Sequence, residues 1–215
     1  MIDQYNAEIE DIKYRYQNSS VLINKLGITS AEAFELAERD IVGFNMLDIR
    51  YMNPVPGNFD LKHLKDIHKH LFEDIFSWAG ETRTVNIGKT LPFTSWLLIN
   101  DYAEDIFTKL KKENYLIETP QQEYVKRMAH YFGEVNALHP FREGNGRTQK
   151  VFFEYLASVS GHRLFFKRIS KQEMDDASAA SLAGNNDYLE LLFQRIIEQS
   201  SKKMQEMWIR KIIRK

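Results

Sequence analysis

His139-Pro140-Phe141-Arg142-Glu143-Gly144-Asn145-Gly146-Arg147, followed three positions later by Lys150, is the stretch that decides how the rest of the chain is read. It gathers an imidazole, a carboxylate, a Gly-Asn-Gly turn and two cations in one short window, between two segments with helical apolar spacing. Successive backbone amides of such a turn can face one concavity. A helix that follows adds its N-terminal amides and dipole, so Gly144, Asn145 and Gly146 make an anion cradle. Glycine permits the positive φ angles and close approach that the turn needs. Arg147 falls in the first helical turn and Lys150 one turn further on the same face, where both reach phosphate oxygens. Glu143 offers a hard oxygen ligand for a Mg²⁺ shared with those phosphates. His139, with an ordinary pKa of roughly 6.5, suits removal of a proton from an incoming hydroxyl near neutral pH. A histidine before proline, or Gly-Asn-Gly alone, is an ordinary turn. Their coincidence in one window points to phosphoryl-transfer chemistry.

Working outward, the segment before the window starts at Thr119-Pro120-Gln121-Gln122, an N-cap, a first-turn proline and an N3 glutamine. Its apolar positions Tyr124, Val125, Met128, Phe132, Val135 and Leu138 predict a central core helix that delivers the chain to His139. Phe141 reads as the core anchor of the loop. On the other side Thr148, Val151, Phe152, Tyr155, Leu156 and Val159 predict a second buried helix ending at Gly161.

The remaining chain is mostly helical in pattern. A capping box at Thr29 to Glu32 opens a helix from about Ser30 to the late forties, and Asp60 opens another that should stop near Gly80. That second helix bears His63, His68 and His70, read as surface histidines because no zinc-binding spacing surrounds them. A further amphipathic segment covers Trp96 to Asn114, Ser170 opens another helix, and one more follows Gly184 to Asp187. The basic Lys202 to Lys215 stretch predicts a terminal helix docked on the core rather than on a membrane. Residues 1 to 30 read as a short helix and an ordered arm, with Tyr5, Tyr14 and Tyr16 as surface anchors. One stretch differs in texture. Thr82 to Ile87 alternates with period two, Gly88-Lys89 supplies a two-residue turn and Thr90 to Thr94 returns, which predicts a β-hairpin over about 82–94. Two strands with no sheet to join leave an edge open to another chain.

A chain of 215 residues with 43% hydrophobic and 27% charged residues suits one well-filled core. Its 29 Lys and Arg against 30 Asp and Glu leave a formal net charge of −1, so no global field draws it to nucleic acid or membrane. With no cysteine, disulfides and thiolate metal sites are excluded. Neither a membrane-spanning run nor a secretory signal is visible, which suits a cytoplasmic protein, in a bacterium or in a host cell after translocation.

The window from His139 to Arg147 resembles the signature of the Fic family, His-Pro-Phe-x-(Asp/Glu)-Gly-Asn-Gly-Arg, and most of the chain fits that family's domain. The resemblance implies a mainly α Fic-type bundle of about seven to nine helices over 1–215, with one β-hairpin flap. In these terms the parts are an N-terminal arm (1–30), a flap (about 82–94), the active-site motif (139–150) and a C-terminal helix (200–215). The family usually has arginine where this chain has Lys150, which keeps the charge and loses the planar fork.

The resemblance further implies transfer of AMP from ATP to a Ser, Thr or Tyr hydroxyl of a target protein. His139 is then the base, Glu143 the Mg²⁺ ligand, and Gly144, Asn145, Gly146, Arg147 and Lys150 hold the phosphates. The flap residues Arg83, Thr84, Val85, Asn86 and Ile87 position the target. The alternatives are transfer of another phosphate-containing group, as by a kinase or a phosphocholine transferase, or an inactive module that binds nucleotide or a partner. Many relatives are silenced by a helix bearing (Ser/Thr)-x-x-x-Glu-(Gly/Asn). Here Glu-Gly and Glu-Asn pairs occur at Glu143 and Glu113, preceded four positions earlier by His139 and Lys109, so that motif is missing from the sequence. A separate antitoxin-like protein contacting Lys150 is therefore the expected regulator, in either a bacterial toxin or a translocated effector.

Overall fold

Side-chain caps set where half of the eight described α-helices begin. The Ser30 hydroxyl accepts the Ala33 amide at 3.4 Å and starts α1 (Ala31–Leu47), which runs on into a π-helical turn, Asp48–Met52. Asp60 accepts the His63 amide at 2.7 Å and starts α2 (Leu61–Phe72). Then follow α3 (Ile99–Lys112), α4 (Gln121–Leu138), α5 (Asn145–Val159), α6 (Lys171–Leu182), α7 (Asp187–Ile196) and α8 (Lys202–Ile212). Ser170 and Glu173 form the capping box of α6, as their spacing predicts. These elements come from a computed structural model that describes residues 12–88 and 91–213.

The two helices flanking the Gly-Asn-Gly window form the centre. Helix α4 packs on α3, α6 and α7, whereas α5 packs on α2 and α8. Tyr124, Met128 and Leu138 of α4 and Val151, Phe152, Phe153 and Leu156 of α5 are buried, in one hydrophobic cluster that reaches from Tyr14 to Ile212. Each such side chain contributes roughly 1.5–3 kcal/mol by leaving water, before the cost of ordering it.

Four expectations are revised. First, a two-stranded antiparallel sheet joins β1 (His162–Leu164) to β2 (Ile197–Gln199), pairing Leu164 with Ile197. Strands this short carry too little alternation to be seen in sequence. Second, the flap forms no ladder among the described residues. It is a loop pinched by one antiparallel bridge, Gly88 to Pro92, and a Phe93 amide to Ile87 carbonyl bond of 3.2 Å. Lys89 of the predicted Gly88-Lys89 turn and Thr90, where the return was expected to start, lie outside the described residues. Third, α2 stops at Phe72, and Ile75 and Phe76 are buried from the turns that follow. Fourth, Tyr14 is buried, its ring edge-on to Trp78 at 5.6 Å and its hydroxyl accepting the Thr84 amide at 3.3 Å. Tyr5 lies outside the described residues.

The histidines of α2 also depart from the surface reading. His63 and His68 are buried, while His70 pairs with Asp48 at 2.9 Å. His68 Nδ1 accepts the Gly80 amide at 2.8 Å, which leaves Nε2–H to donate to the Glu143 carbonyl at 3.0 Å. Its ring lies flat on Phe141, with centroids 3.9 Å apart. Burial pushes its pKa down to about 4, outweighing the bond to Glu143, so the ring is neutral in the folded protein at pH 7. The unfolded chain protonates near 6.5. Stability is therefore full above that value, falls as pH drops toward about 4, and levels off below, where both states are protonated. The loss assigned to His68 is on the order of 3 kcal/mol. Burial also lowers His130 and His162, and they steepen the same window. The expected outcome for His68→Gln is a lower melting temperature at pH 7. Its melting-temperature profile between pH 6.5 and 4 should also be flatter, with about one proton fewer taken up on unfolding.

Candidate active site

The chain turns sharply at His139, which caps α4 in the left-handed region at φ 42° and ψ 60°. Beyond it, backbone groups that water cannot readily reach need partners, and side chains from several elements supply them. The Asn145 side chain accepts the Phe141 amide at 2.9 Å and donates to the Phe141 carbonyl at 2.7 Å, closing the loop across its base. His68 holds the Glu143 carbonyl. The Glu143 carboxylate accepts the Gly144 amide at 2.8 Å, and the Gly144 carbonyl accepts Thr148 Oγ1 at 3.0 Å and the Thr148 amide at 3.1 Å. Phe141 is fully buried against His68, as its anchor role requires.

Glycine at 144 is dictated twice. Its φ is 81°, and a Cβ would meet the Phe72 ring at 2.4 Å. At Gly146 a Cβ would meet nothing within 4 Å. The first backbone bond of α5 reaches from the Thr148 amide to Gly144, so the amides of Asn145, Gly146 and Arg147 precede the helical ladder at its positive end. The anion-binding potential thus sits one residue later than the Gly-Asn-Gly turn suggests, because the Gly144 amide is taken by Glu143 and the Asn145 side chain faces inward.

The imidazole of His139 lies face to face with Phe93 of the flap, centroids 3.7 Å apart and planes 8° from parallel. Its Nδ1 is 3.1 Å from the Asn136 carbonyl. A carbonyl only accepts, so that contact places the proton on Nδ1 and the lone pair on Nε2, the tautomer a general base needs.

Arg147 and Lys150, expected side by side, lean on different elements. Arg147 donates to Glu38 of α1 at 2.7 Å and to Glu143 at 3.4 Å, with its guanidinium 4.8 Å from the Phe72 ring. Lys150 Nζ sits 5.7 Å from the Phe166 ring. Burial lowers the Lys150 pKa, partly offset by the nearby Glu154, which is itself held by Arg50 at 2.6 and 2.8 Å. Among the flap residues, Arg83 and Val85 are buried and so do not face a target. Asn86 is exposed and accepts the Trp96 amide at 3.1 Å; Thr84 and Ile87 are half-buried. Sequence reasoning missed His68, Phe93, Glu38 and the inward turn of Asn145. None has a local pattern, since each acts across a tertiary contact.

Residues 58–157 match the model of the Fic/DOC family. The "Probable protein adenylyltransferase Fic" of Escherichia coli is 32% identical over 88% of this chain and 94% of its own length. "Protein adenylyltransferase VbhT" of Bartonella schoenbuchensis is 38% identical over 85% of this chain, which spans only 38% of that relative. Among solved structures, BepC of Bartonella tribocorum with bound AMPPNP superposes with a TM-score of 0.80 at 29% identity, covering 87% of this chain and 97% of its own. A Fic domain of Bartonella quintana with bound ADP gives 0.82 at 30% identity, covering 89% and 96%. The chain belongs to the Fic/DOC family.

The two loop glycines separate fold from binding surface. Gly144→Ala is expected to cost about 2–5 kcal/mol through positive φ and the clash with Phe72. Gly146→Ala, in a helical position facing open space, is expected to raise stability by roughly 0.5–1 kcal/mol. Thermal or urea denaturation of both variants checks the contrast.

Proposed function

We propose that this protein is an adenylyltransferase that moves AMP from ATP onto a hydroxyl of a target protein. The observation that carries the reading is the placement of a tautomer-fixed imidazole one tight loop away from the unladdered amides of α5. In the reaction, His139 Nε2 takes the proton of a Ser, Thr or Tyr hydroxyl as its oxygen attacks the α-phosphorus. The bond from the α-phosphorus to the bridging oxygen breaks, and pyrophosphate leaves with the electron pair. The Asn145, Gly146 and Arg147 amides, the Arg147 side chain and Lys150 offset the charge that develops. Positioning and fixed charge carry most of such a step, and a general base contributes ~10²–10⁴-fold. The similarity to proteins named adenylyltransferases, and to Fic structures holding AMPPNP or ADP, supports AMP transfer over other chemistries.

A divalent cation fits at Glu143. Its carboxylate is about half exposed at the mouth of the cradle, and Mg²⁺ commonly binds one carboxylate together with substrate phosphates. No cluster of three His, Cys, Asp or Glu occurs among the described residues, so the phosphates would supply the remaining oxygens. Bound there, Mg²⁺ would neutralise phosphate charge.

The target lies along the flap, where Thr84, Asn86 and Ile87 keep some exposed surface. Regulation falls to a separate antitoxin-like partner that contacts Lys150. The place of action is a cytoplasm, that of the bacterium or of a host reached by translocation. The arm, flap, motif and C-terminal helix work as one Fic domain over 1–215. No helix among the described residues is long and apolar enough to cross a membrane.

Incubation with α- and γ-labelled ATP tests the activity. Label from the α position on a target is expected, whereas γ label on the target would make the protein a kinase. His139→Ala is expected to remove transfer by ~10²-fold or more while isothermal titration still detects ATP. A His139→Ala protein with full transfer would end the base assignment.

A further inference from the structure

Arg83 is the most unusual buried side chain among the described residues. It is 1% exposed, and every hydrogen bond of its guanidinium goes to a backbone carbonyl. Nε donates to His139 at 2.8 Å, Nη1 to Val85 at 2.7 Å, and Nη2 to Thr94 and, at 3.5 Å, to Leu138. The Arg83 amide donates to the Pro140 carbonyl at 2.8 Å. Burial lowers its pKa to about 10, which leaves it charged at neutral pH.

Val85 and Thr94 lie on the entering and leaving sides of the flap. Between them, one bridge and the Phe93 amide bond restrain the described residues across the loop. Thr94 is tied to α4 as well, its amide and hydroxyl donating to the Ala137 carbonyl at 3.0 and 2.9 Å. Phe93, next to Thr94, is the residue stacked on the His139 ring. One planar fork thus joins flap entry, flap exit and the backbone of the proposed base.

A buried cation is a poor device for stability, because burying its charge is expensive and a well-packed apolar replacement is often no worse. What it supplies is geometry. The planar guanidinium aims several donors in fixed directions, and an ammonium does not.

We propose that Arg83 is the positioning residue that sets the register between the flap and His139, and so places the target hydroxyl against the imidazole. This rests on the transfer activity assigned above. Displacing the flap relative to the base by about 1 Å is enough to lower transfer ~10²-fold. The nucleotide contacts on α5 do not involve Arg83, so ATP binding should be spared.

Arg83→Lys keeps the charge and loses the fork. Its expected kinetics are kcat lowered ~10²-fold and a raised KM for the target, with the dissociation constant for ATP changed by less than about three-fold. A merely structural arginine would reduce kcat and the fraction of protein binding ATP in step, with the target KM unchanged, and that result would overturn the proposal. Amide hydrogen exchange reads the same coupling without activity. In the unsubstituted protein the Arg83 and Thr94 amides are expected to exchange as slowly as the last turn of α4, and Arg83→Lys is expected to speed Thr94 and His139 at least about ten-fold while the middle of α5 is unchanged. Exchange of Arg83 and Thr94 at the rate of Gly88 and Leu91 in the unsubstituted protein would overturn the proposal, even where the variant fails to fold. Absence of AMP transfer by the unsubstituted protein would instead overturn the activity, and exchange would then decide the role of Arg83.

Discussion

A loop that must leave one buried helix and enter another within six residues exposes backbone amides and carbonyls where water has little access, and each unpaired group costs free energy. Residues 139–144 meet that constraint by drawing partners from distant parts of the chain. Arg83 takes the His139 and Pro140 carbonyls, Asn145 both polar groups of Phe141, His68 the Glu143 carbonyl, and Thr148 the Gly144 carbonyl. The loop is therefore built from inside, and its outer surface keeps the start of α5 and the imidazole for chemistry. Preorganisation of this kind puts the cost of ordering a site into folding, ahead of catalysis.

The charges follow the same division. His68, in contact with apolar rings, is kept neutral by burial and acts as a pair of directed hydrogen bonds. Arg83 stays charged but donates its hydrogen bonds to carbonyl dipoles, and so serves as a fixed fork. Arg147 and Lys150 keep partial exposure and stand against aromatic rings, Phe72 and Phe166, which steady a cation without cancelling its charge. Glu38 adds a carboxylate beside Arg147, orienting the guanidinium from α1.

The helical architecture was legible because its signals are local. Caps at Asp60 and Ser170 and the apolar spacing of α4 and α5 sit within a few residues of the structure they cause, whereas the box expected from Thr29 to Glu32 is replaced by a cap one residue on, at Ser30. The motif was legible for the same reason, and its resemblance to a family signature agrees with the family that the comparisons show. The departures all involve distance in sequence. Asn145 reads as a phosphate ligand until the Phe141 backbone is seen to need it. Arg83 reads as a flap surface residue until its partners, 55 and 56 positions away, come into contact with it. The alternation over Thr82 to Ile87 reflects a loop with one buried face, at Arg83 and Val85, rather than a strand with a ladder. Periodicity reports burial, and burial does not require pairing.

A crystal structure of the protein with a nonhydrolysable ATP analogue and Mg²⁺ bears most directly on the claim that the loop is preformed. The account predicts that the backbone of residues 139–147 stays within about 1 Å of its ligand-free course, with phosphate oxygens on the Asn145, Gly146 and Arg147 amides and the Phe141 to Asn145 bonds intact. A loop that refolds around the nucleotide, or phosphates seated away from the start of α5, would contradict it.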